Sequence, residues 1–594
     1  MRATSRSPAV TVPVIFLECF SKIDHGINIK DGLFLRRSQA ANQISKGLIE
    51  KPHILKIPPI SVREIVMATN REKMSPDHIE SGSSMLQTEP QGKENAPAGH
   101  IPLTSEEKML SRGLNRKLDV WLLPFLSLLY LFNGLDRGNV GNAETQGDPS
   151  PQEVGYQVKL TTVPGFTKDI GAHPDDLNLA VSLFFITFVL FQPPSAAAGR
   201  WMGARYWIPI IMVCWGILTI AQAFIKGRSA LIATRLLIGL FEAGFYPTAV
   251  AYLSTFYTRF DLAVRIGLFY GQYAIAGAFS GSIAYGVFHI KHSSLKNWQY
   301  LFIIEGVATC VVAIIALFWL PQGPGSAWFL TKEDRAYAAE RIRLDNVMYI
   351  QHRYGESGVE EDRLTKRDVV ETAKDWKLWY VLFFNILASV PGQAFSVFLP
   401  LVVKGLGYSS IQANLMSVPP YVCGAAGLYM FALSSDRRKE RGYHIVCGLL
   451  IALVGLIITV TVKGHGGKYA GLCILLFGSY VSAPLTVAWL SGNTPEPGKR
   501  ALVLGVNGFG NLSGVIGSQL FRKSYAPEYL IPFYATLVFI AVALAGYVAY
   551  RFTLAAVNRR RRQKLDAMTP EEVEQERTTS LRYADRKYTF TYGL

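Results

Sequence analysis

The sequence predicts an all-α membrane protein with twelve transmembrane helices in two six-helix halves. Three observations predict this class. Apolar runs of about 20 residues, long enough to cross a hydrocarbon core as helices, fill the chain between charged ends. Six such runs precede a hydrophilic connector and six follow it. Short basic turns recur at corresponding places in the two sets. Because lipid cannot satisfy an open backbone, the runs must be helical.

The first six runs lie near 119–141, 178–197, 206–225, 229–253, 264–289 and 298–320. The second six lie near 377–403, 410–433, 443–462, 468–491, 501–521 and 529–551. These define a polar N-terminal region (1–117) expected to be disordered, two halves (118–320 and 377–552), a cytoplasmic connector (321–376) and a cytoplasmic tail (553–594). In the connector, Thr331-Lys332-Glu333-Asp334-Arg335 reads as the capped start of a charged surface helix.

The turn after the second run, Gly199 to Arg205, has a counterpart after the eighth run in Ser434 to Arg441. Parallel repeats of this kind build transporters with a site between the halves near the middle of the membrane. Arg200/Arg205, Arg259/Arg265, Arg437 to Arg441, Lys499/Arg500 and Arg559 to Arg562 all fall on one side if the N-terminus is cytoplasmic. The opposite turns carry fewer basic residues, so both termini are expected in the cytoplasm.

Composition excludes several classes. Half of the 594 residues are apolar, and the mean hydropathy is +0.21. The net charge of +16 sits largely in turns and tails beside apolar runs, which is a topology signal, and no nucleic-acid-binding module accompanies it. The six cysteines, Cys19, Cys214, Cys310, Cys423, Cys447 and Cys473, show no CxxC spacing, so neither a disulfide framework nor a metal site is expected. No Walker-type loop, GxSxG or HExxH is present, which argues against an ATP-driven pump and an enzyme. No cofactor is expected.

Two segments fit poorly. Residues 1–66 hold an apolar patch, Val10 to Phe20, too short to span, and are expected to be dispensable, with Met67 opening the cytoplasmic lead-in. Glu144 to Pro164 reads as a polar, structure-poor insert in the first external loop.

The informative residues are charges inside apolar runs. Each costs about 2.5–3.5 kcal/mol at the middle of the membrane unless it finds a partner, water or a function. The first run ends Asn133-Gly134-Leu135-Asp136-Arg137-Gly138-Asn139, and the fourth contains Arg235 and Glu242. Seven residues is nearly two turns, so Arg235 and Glu242 share a face. The opposite direction of the first run puts Arg137 at the depth of Arg235, where two guanidinium groups could fork one carboxylate. Glu242 lies deeper, where burial favours the uncharged acid, so it could carry a proton. The plainer readings are an interfacial helix-end pair for Asp136/Arg137 and a structural ion pair for Arg235/Glu242. Glu305 is a weaker signal of the same kind. Asn385, Gln393, Asn414, Asn507 and Asn511 are expected to hydrogen-bond neighbouring helices, and the glycine-rich stretches Gly271 to Gly281 and Gly505 to Gly517 to mark close helix packing.

Taken together, LFNGLDRGNVGN (Leu131 to Asn142), RLLIGLFEAGFYP (Arg235 to Pro247), WQYLFIIEG (Trp298 to Gly306), WFLTKEDR (Trp328 to Arg335) and WLSGNTPEPGKR (Trp489 to Arg500) give a chain that resembles the major facilitator superfamily. Within it the resemblance is to the anion:cation symporter group, in the fungal branch of allantoate, nicotinate and vitamin or amide permeases. It runs from about Lys117 to Arg551 and is not specific to one substrate. It implies alternating access and proton-coupled uptake of a small organic anion, with Arg137, Arg235 and Asn139 contacting substrate and Asp136 and Glu242 coupling protons. Arg200, Arg205, Asp436 and Arg437 would gate. Gly199 stands where the superfamily usually has Asp before the first gating turn, so gate stabilisation would rest more on Asp436. The expected protein is a monomer in the plasma membrane. A non-transporting nutrient sensor and an effluxer are the alternatives.

Overall fold

The computed structural model describes residues 105–147, 165–290, 294–354, 366–579 and 583–594. The expectations for residues 1–66 and Met67, and for 148–164 of the predicted insert, lie outside them. Twelve helices take the predicted order: α1 Leu123–Glu144, α2 Pro174–Met202, α3 Ala204–Gln222, α4 Gly227–Leu253, α5 Arg259–Val287 and α6 Asn297–Trp319 in the first half. In the second half, α7 is Trp376–Gly405, α8 Ser410–Arg438, α9 Gly442–Thr461, α10 His465–Gly492, α11 Gly498–Leu520 and α12 Leu530–Asp566. Eleven of these are long and apolar enough to cross a membrane. The exception is α5, whose glycines, Gln272, Ser280 and Ser282 lower its hydropathy.

Those small residues have a packing role. Gly277 faces the ring of Tyr421, and Gly281 faces the Asn414 carbonyl, so α5 and α8 approach backbone to backbone. A Cβ at Gly141 would fall on the Val397 carbonyl, which fixes how closely α1 meets α7. Among the described residues the halves touch through α1 with α7, α2 with α11, α5 with α8 and, less extensively, α5 with α10.

Several spans are interrupted partway. α4 breaks between Glu242 and Phe245, α10 between Ser479 and Ser482, and α11 narrows to a 3₁₀ turn over Gly508–Leu512. Such breaks are tolerated where neighbouring helices or a cavity satisfy the freed backbone.

The even-numbered turns and the described parts of the connector and the tail share one face of the bundle, here called the basic face. On it, Thr331 caps the helix Lys332–Tyr354 as the sequence predicted: the Asp334 N–H donates to Thr331 Oγ1 (3.2 Å), and the Thr331 N–H donates to Asp334 Oδ2 (3.2 Å). That helix docks on the first half, where Arg341 donates to Asn115 Oδ1 (2.9 Å) and the Phe256 carbonyl (3.0 Å).

Three expectations need correction. Residues 105–117, expected to be disordered, belong to the helix Ser105–Trp121, which is ordered because Leu114 and Leu118 are buried against the bundle. Glu144 does not belong to a structure-poor insert: it ends α1, and its carboxylate accepts from the Thr167 N–H (3.0 Å) and Thr167 Oγ1 (2.8 Å). Nor does the twelfth helix end near 551. It continues to Asp566, because Arg559 to Arg562 and Lys564 are good helix formers that leave the membrane without leaving the helix.

Candidate functional site

The predicted charges of α1 and α4 meet inside the first half. Asn133, Asp136 and Arg137 are spaced to share one face of α1, and Arg235 and Glu242 one face of α4. All five are at most 5% exposed. Arg137 Nε donates to Glu242 Oε2 at 3.2 Å, and Asn133 Nδ2 donates to the same oxygen at 3.1 Å. The Arg137 guanidinium also lies over the rings of Phe188 (4.5 Å), Tyr273 (5.4 Å) and Phe184 (5.5 Å). An arginine surrounded by π faces keeps its charge in a place that excludes water.

The second arginine has other partners. Arg235 NH2 donates to Asn139 Oδ1 at 3.2 Å and NH1 reaches the Asp136 carbonyl at 3.5 Å. Asp136 Oδ1 accepts from Thr219 Oγ1 on α3 (3.1 Å) and Asn139 Nδ2 (3.4 Å). Glu242 therefore pairs across helices with Arg137, while its own-helix neighbour Arg235 turns to the Asp136–Asn139 turn. Three carboxyl groups, Asp136, Glu242 and Glu305, share this region with two guanidinium groups, a ratio that leaves one acid without a countercharge. Glu305 is the extreme case, 2% exposed with neither oxygen hydrogen-bonded. It is brought there by the close approach of α3 and α6 at Gly216 and Gly306, one residue along from it.

Both arginines open on one small cavity of about 10 Å³, lined by Arg137, Val181, Phe184, Phe185, Arg235 and Val397. That is room for about one water molecule. Val397 comes from α7, so the cavity lies between the halves. On the face opposite the basic one the halves are fastened above it. Asn178 Nδ2 donates to the Phe521 carbonyl (3.0 Å), Ser182 Oγ meets Ser518 Oγ (2.7 Å), Lys404 Nζ donates to the Thr145 carbonyl (2.7 Å), and Asn414 Nδ2 donates to Thr145 Oγ1 (2.9 Å).

The amides of the second half bond to neighbours, as expected. Gln393 Nε2 donates to Asn511 Oδ1 (3.0 Å), and Asn385 Nδ2 donates to Asn507 Oδ1 (3.4 Å). Gln393 also accepts from Tyr273 OH (3.2 Å), which ties it to the cage around Arg137.

The four gating candidates are not brought together. Arg200 and Arg437 are exposed on the basic face. Arg205 lies over its neighbour Tyr206, 5.6 Å from the ring centre. Asp436 pairs with Arg441 of its own turn. Sequence reasoning missed Thr219, Tyr273 and the Phe184/Phe188 cage, since an uncharged residue in an apolar run carries no signal. Asn133 was legible, one turn before Arg137 in a quoted motif.

Comparison with known proteins gives consistent results. The family model described as Major Facilitator Superfamily matches residues 153–518. The MFS-type transporter efuF of Hormonema carpetanum is 32% identical, covering 79% of this chain and 90% of that protein. The high-affinity nicotinic acid transporter of Saccharomyces cerevisiae is 31% identical, covering 78% of this chain and 82% of its own length. Among solved structures, a bacterial homolog to the human lysosomal transporter Spinster, inward-facing and unoccupied, superposes with a TM-score of 0.52 at 16% identity, over 72% of this chain and 96% of that one. At that identity the likeness shows the fold alone.

Proposed function

The chain belongs to the Major Facilitator Superfamily, and on that premise we propose that it imports a small organic carboxylate together with protons, by alternating access. Membership makes it a multi-pass membrane transporter and not an enzyme. The single observation that carries the finer reading is the buried Arg137–Glu242 pair beside a cavity that Arg235 also lines. Two guanidinium groups suit a carboxylate, and a carboxyl group that already holds one of them is placed to exchange that hold for a proton.

The cycle follows from this competition. With the cavity open to the outside, protonation of Glu242 releases Arg137, and Arg137 and Arg235 bind the substrate carboxylate. Asn139 orients Arg235, and Asp136, held by Thr219 and Asn139, supplies a second exchangeable proton site. Opening to the less acidic cytosol removes the proton, Glu242 recaptures Arg137, and the anion departs. The geometry described, with Arg137 recaptured and the face opposite the basic one fastened, fits the state after release. The basic face then lies in the cytoplasm with both termini, following the distribution of Lys and Arg. The plasma membrane and a monomer complete the reading. A ligand drives such a cycle only through different affinities for the two states.

The name of one relative supports a narrower substrate class. That relative is named for nicotinic acid, a flat monocarboxylate, and the Phe184/Phe188/Tyr273 cage offers π faces beside the arginine. Reconstituted vesicles given labelled nicotinate, with allantoate, pantothenate and ureidosuccinate as competitors, test the proposal. Carboxylate-dependent alkalinisation outside the vesicles is the expected result. Uptake of none of these, or uptake without proton movement, would contradict it.

A further inference from the structure

The motif Trp489 to Arg500 takes no part in the transport chemistry above, yet Trp489, Asn493, Glu496 and Lys499 converge on a single object, the segment 583–594. Residues 583–594 run across the basic face, where Phe590, Tyr592 and Leu594 pack against the core and polar contacts grip the backbone. Asn493 grips the backbone of Gly593 from both sides: the Gly593 N–H donates to Asn493 Oδ1 (2.8 Å), and Asn493 Nδ2 donates to the Gly593 carbonyl (3.0 Å). Trp489 Nε1 donates to the same carbonyl at 2.7 Å. Asn558, on the extension of α12, treats Tyr592 in the same way, with distances of 2.9 and 2.8 Å. The Ala584 N–H donates to Glu496 Oε1 at 2.5 Å, and the Arg441 N–H donates to the Leu594 carbonyl at 2.8 Å. Side-chain amides that pair with both backbone groups of one residue do what a neighbouring strand does in peptide recognition.

The anchor is electrostatic. Asp585 is 1% exposed, and its Oδ2 accepts from Lys377 Nζ (2.7 Å) and Lys499 Nζ (2.9 Å). The same lysines reach Asp375 Oδ2 at 3.6 and 2.8 Å. Two buried ammonium groups thus face two buried carboxylates, one pair of charges being balanced only when the tail is in place. The Tyr592 hydroxyl closes the cluster, donating to the Asp585 carbonyl (2.7 Å) and accepting from Lys377 Nζ (3.1 Å).

We propose that Trp489, Asn493, Glu496, Lys499, Lys377 and Asn558 form a peptide-binding site on the basic face, and that its ligand is the chain's own segment 583–594. The ligand class is a peptide whose aspartate lies in a 3₁₀ turn, Ala584–Arg586, seven residues before a tyrosine that is followed by glycine. The partners lie on the start of α7, the end of α10, the α8–α9 and α10–α11 turns and the extension of α12, and the connector helix Lys366–Ala373 adds Asp368 and Glu371, which pair with Tyr583 and Arg586. Occupation of the site therefore clasps the second half and that connector helix into a single body and leaves the halves free to rock against each other. The inference does not depend on the substrate or on proton coupling.

Hydrogen–deuterium exchange of the full-length protein in detergent tests it directly. The amides of Ala584, Tyr592 and Gly593 should be protected, and Asp585→Asn or Asn493→Ala should cut that protection at least about tenfold. Exchange at the rate of an unstructured peptide in the parent would overturn the proposal, and so would unchanged protection in both variants. A chain lacking 583–594, given a fluorescent peptide of that sequence, should bind it saturably, and the peptide carrying Asp585→Asn should bind at least about tenfold more weakly. Absence of saturable binding to the folded, shortened chain would also overturn it; if that chain fails to fold, the exchange experiment decides alone.

Discussion

Arg137 and Glu242 meet at 3.2 Å between Nε and Oε2, one from α1 and one from α4, with both side chains almost wholly excluded from solvent. Neither can be removed alone without leaving the other charge stranded in a place of low dielectric. The pair is thus a competition that an incoming anion and a proton can tip, and the predictions below follow from its surroundings.

Arg137→Lys keeps the charge but loses the planar fork and the stacking on Phe188. Substrate affinity should fall by roughly 10- to 100-fold, the worth of one charged hydrogen bond, with the protein still inserted and folded. Binding titrations on purified protein check this, and unchanged affinity would remove Arg137 from the anion site.

Ser182 and Ser518 touch across the two halves, Oγ to Oγ at 2.7 Å, on the face opposite the basic one. Cysteines at both positions lie close enough for a disulfide. Ser182→Cys/Ser518→Cys should stop net uptake under oxidising conditions and recover it with a reductant. Full activity of the cross-linked protein would mean that this contact persists throughout the cycle.

Thr219→Val keeps the shape of the side chain and removes the hydrogen bond to Asp136. The loss should be about 1 kcal/mol of stability, with a shift in the pH dependence of uptake because Asp136 loses a donor to its charged form. An unaltered pH profile would place Asp136 outside the coupling chemistry.

How much of this could be read from the sequence depends on how each residue pays for its position. A charge in an apolar run announces itself, so Asp136, Arg137, Arg235 and Glu242 were legible as candidates. Their pairing was less so. The shared face of Arg235 and Glu242 pointed to a partnership, but α4 rotates Glu242 toward α1, where Asn133 and Arg137 receive it. Thr219 and Phe188 could not be found, because helix rotation decides which uncharged residues line a site. The tail was read as a polar extension, since nothing in residues 583–594 taken alone reveals that Lys377 and Lys499 await Asp585. Of the gating candidates, chosen by resemblance, Asp436 and Arg205 each engage a residue of their own turn or its neighbour.

The tail also sets a pH expectation. Burial pushes the Asp585 carboxyl upward, but Lys377 and Lys499 outweigh it and hold the group below its usual range. A depressed carboxyl contributes stability above its unfolded pKa of about 3.9 and loses it as the pH falls through the lower folded value. Amide protection of residues 584–593 should therefore be flat from neutral pH down to about 5 and fall only below about 4. Release of the tail between pH 7 and 5 would show that some other group governs docking.

The central claim is that Glu242 gives up Arg137 only when it takes a proton. Glu242→Gln fixes the released condition. Measured side by side in vesicles, this variant should bind substrate and exchange internal for external substrate, yet fail to accumulate it when a pH gradient is imposed. If Glu242→Gln accumulates substrate against a gradient as the parent does, Glu242 is a structural partner of Arg137 and the proposed coupling is wrong.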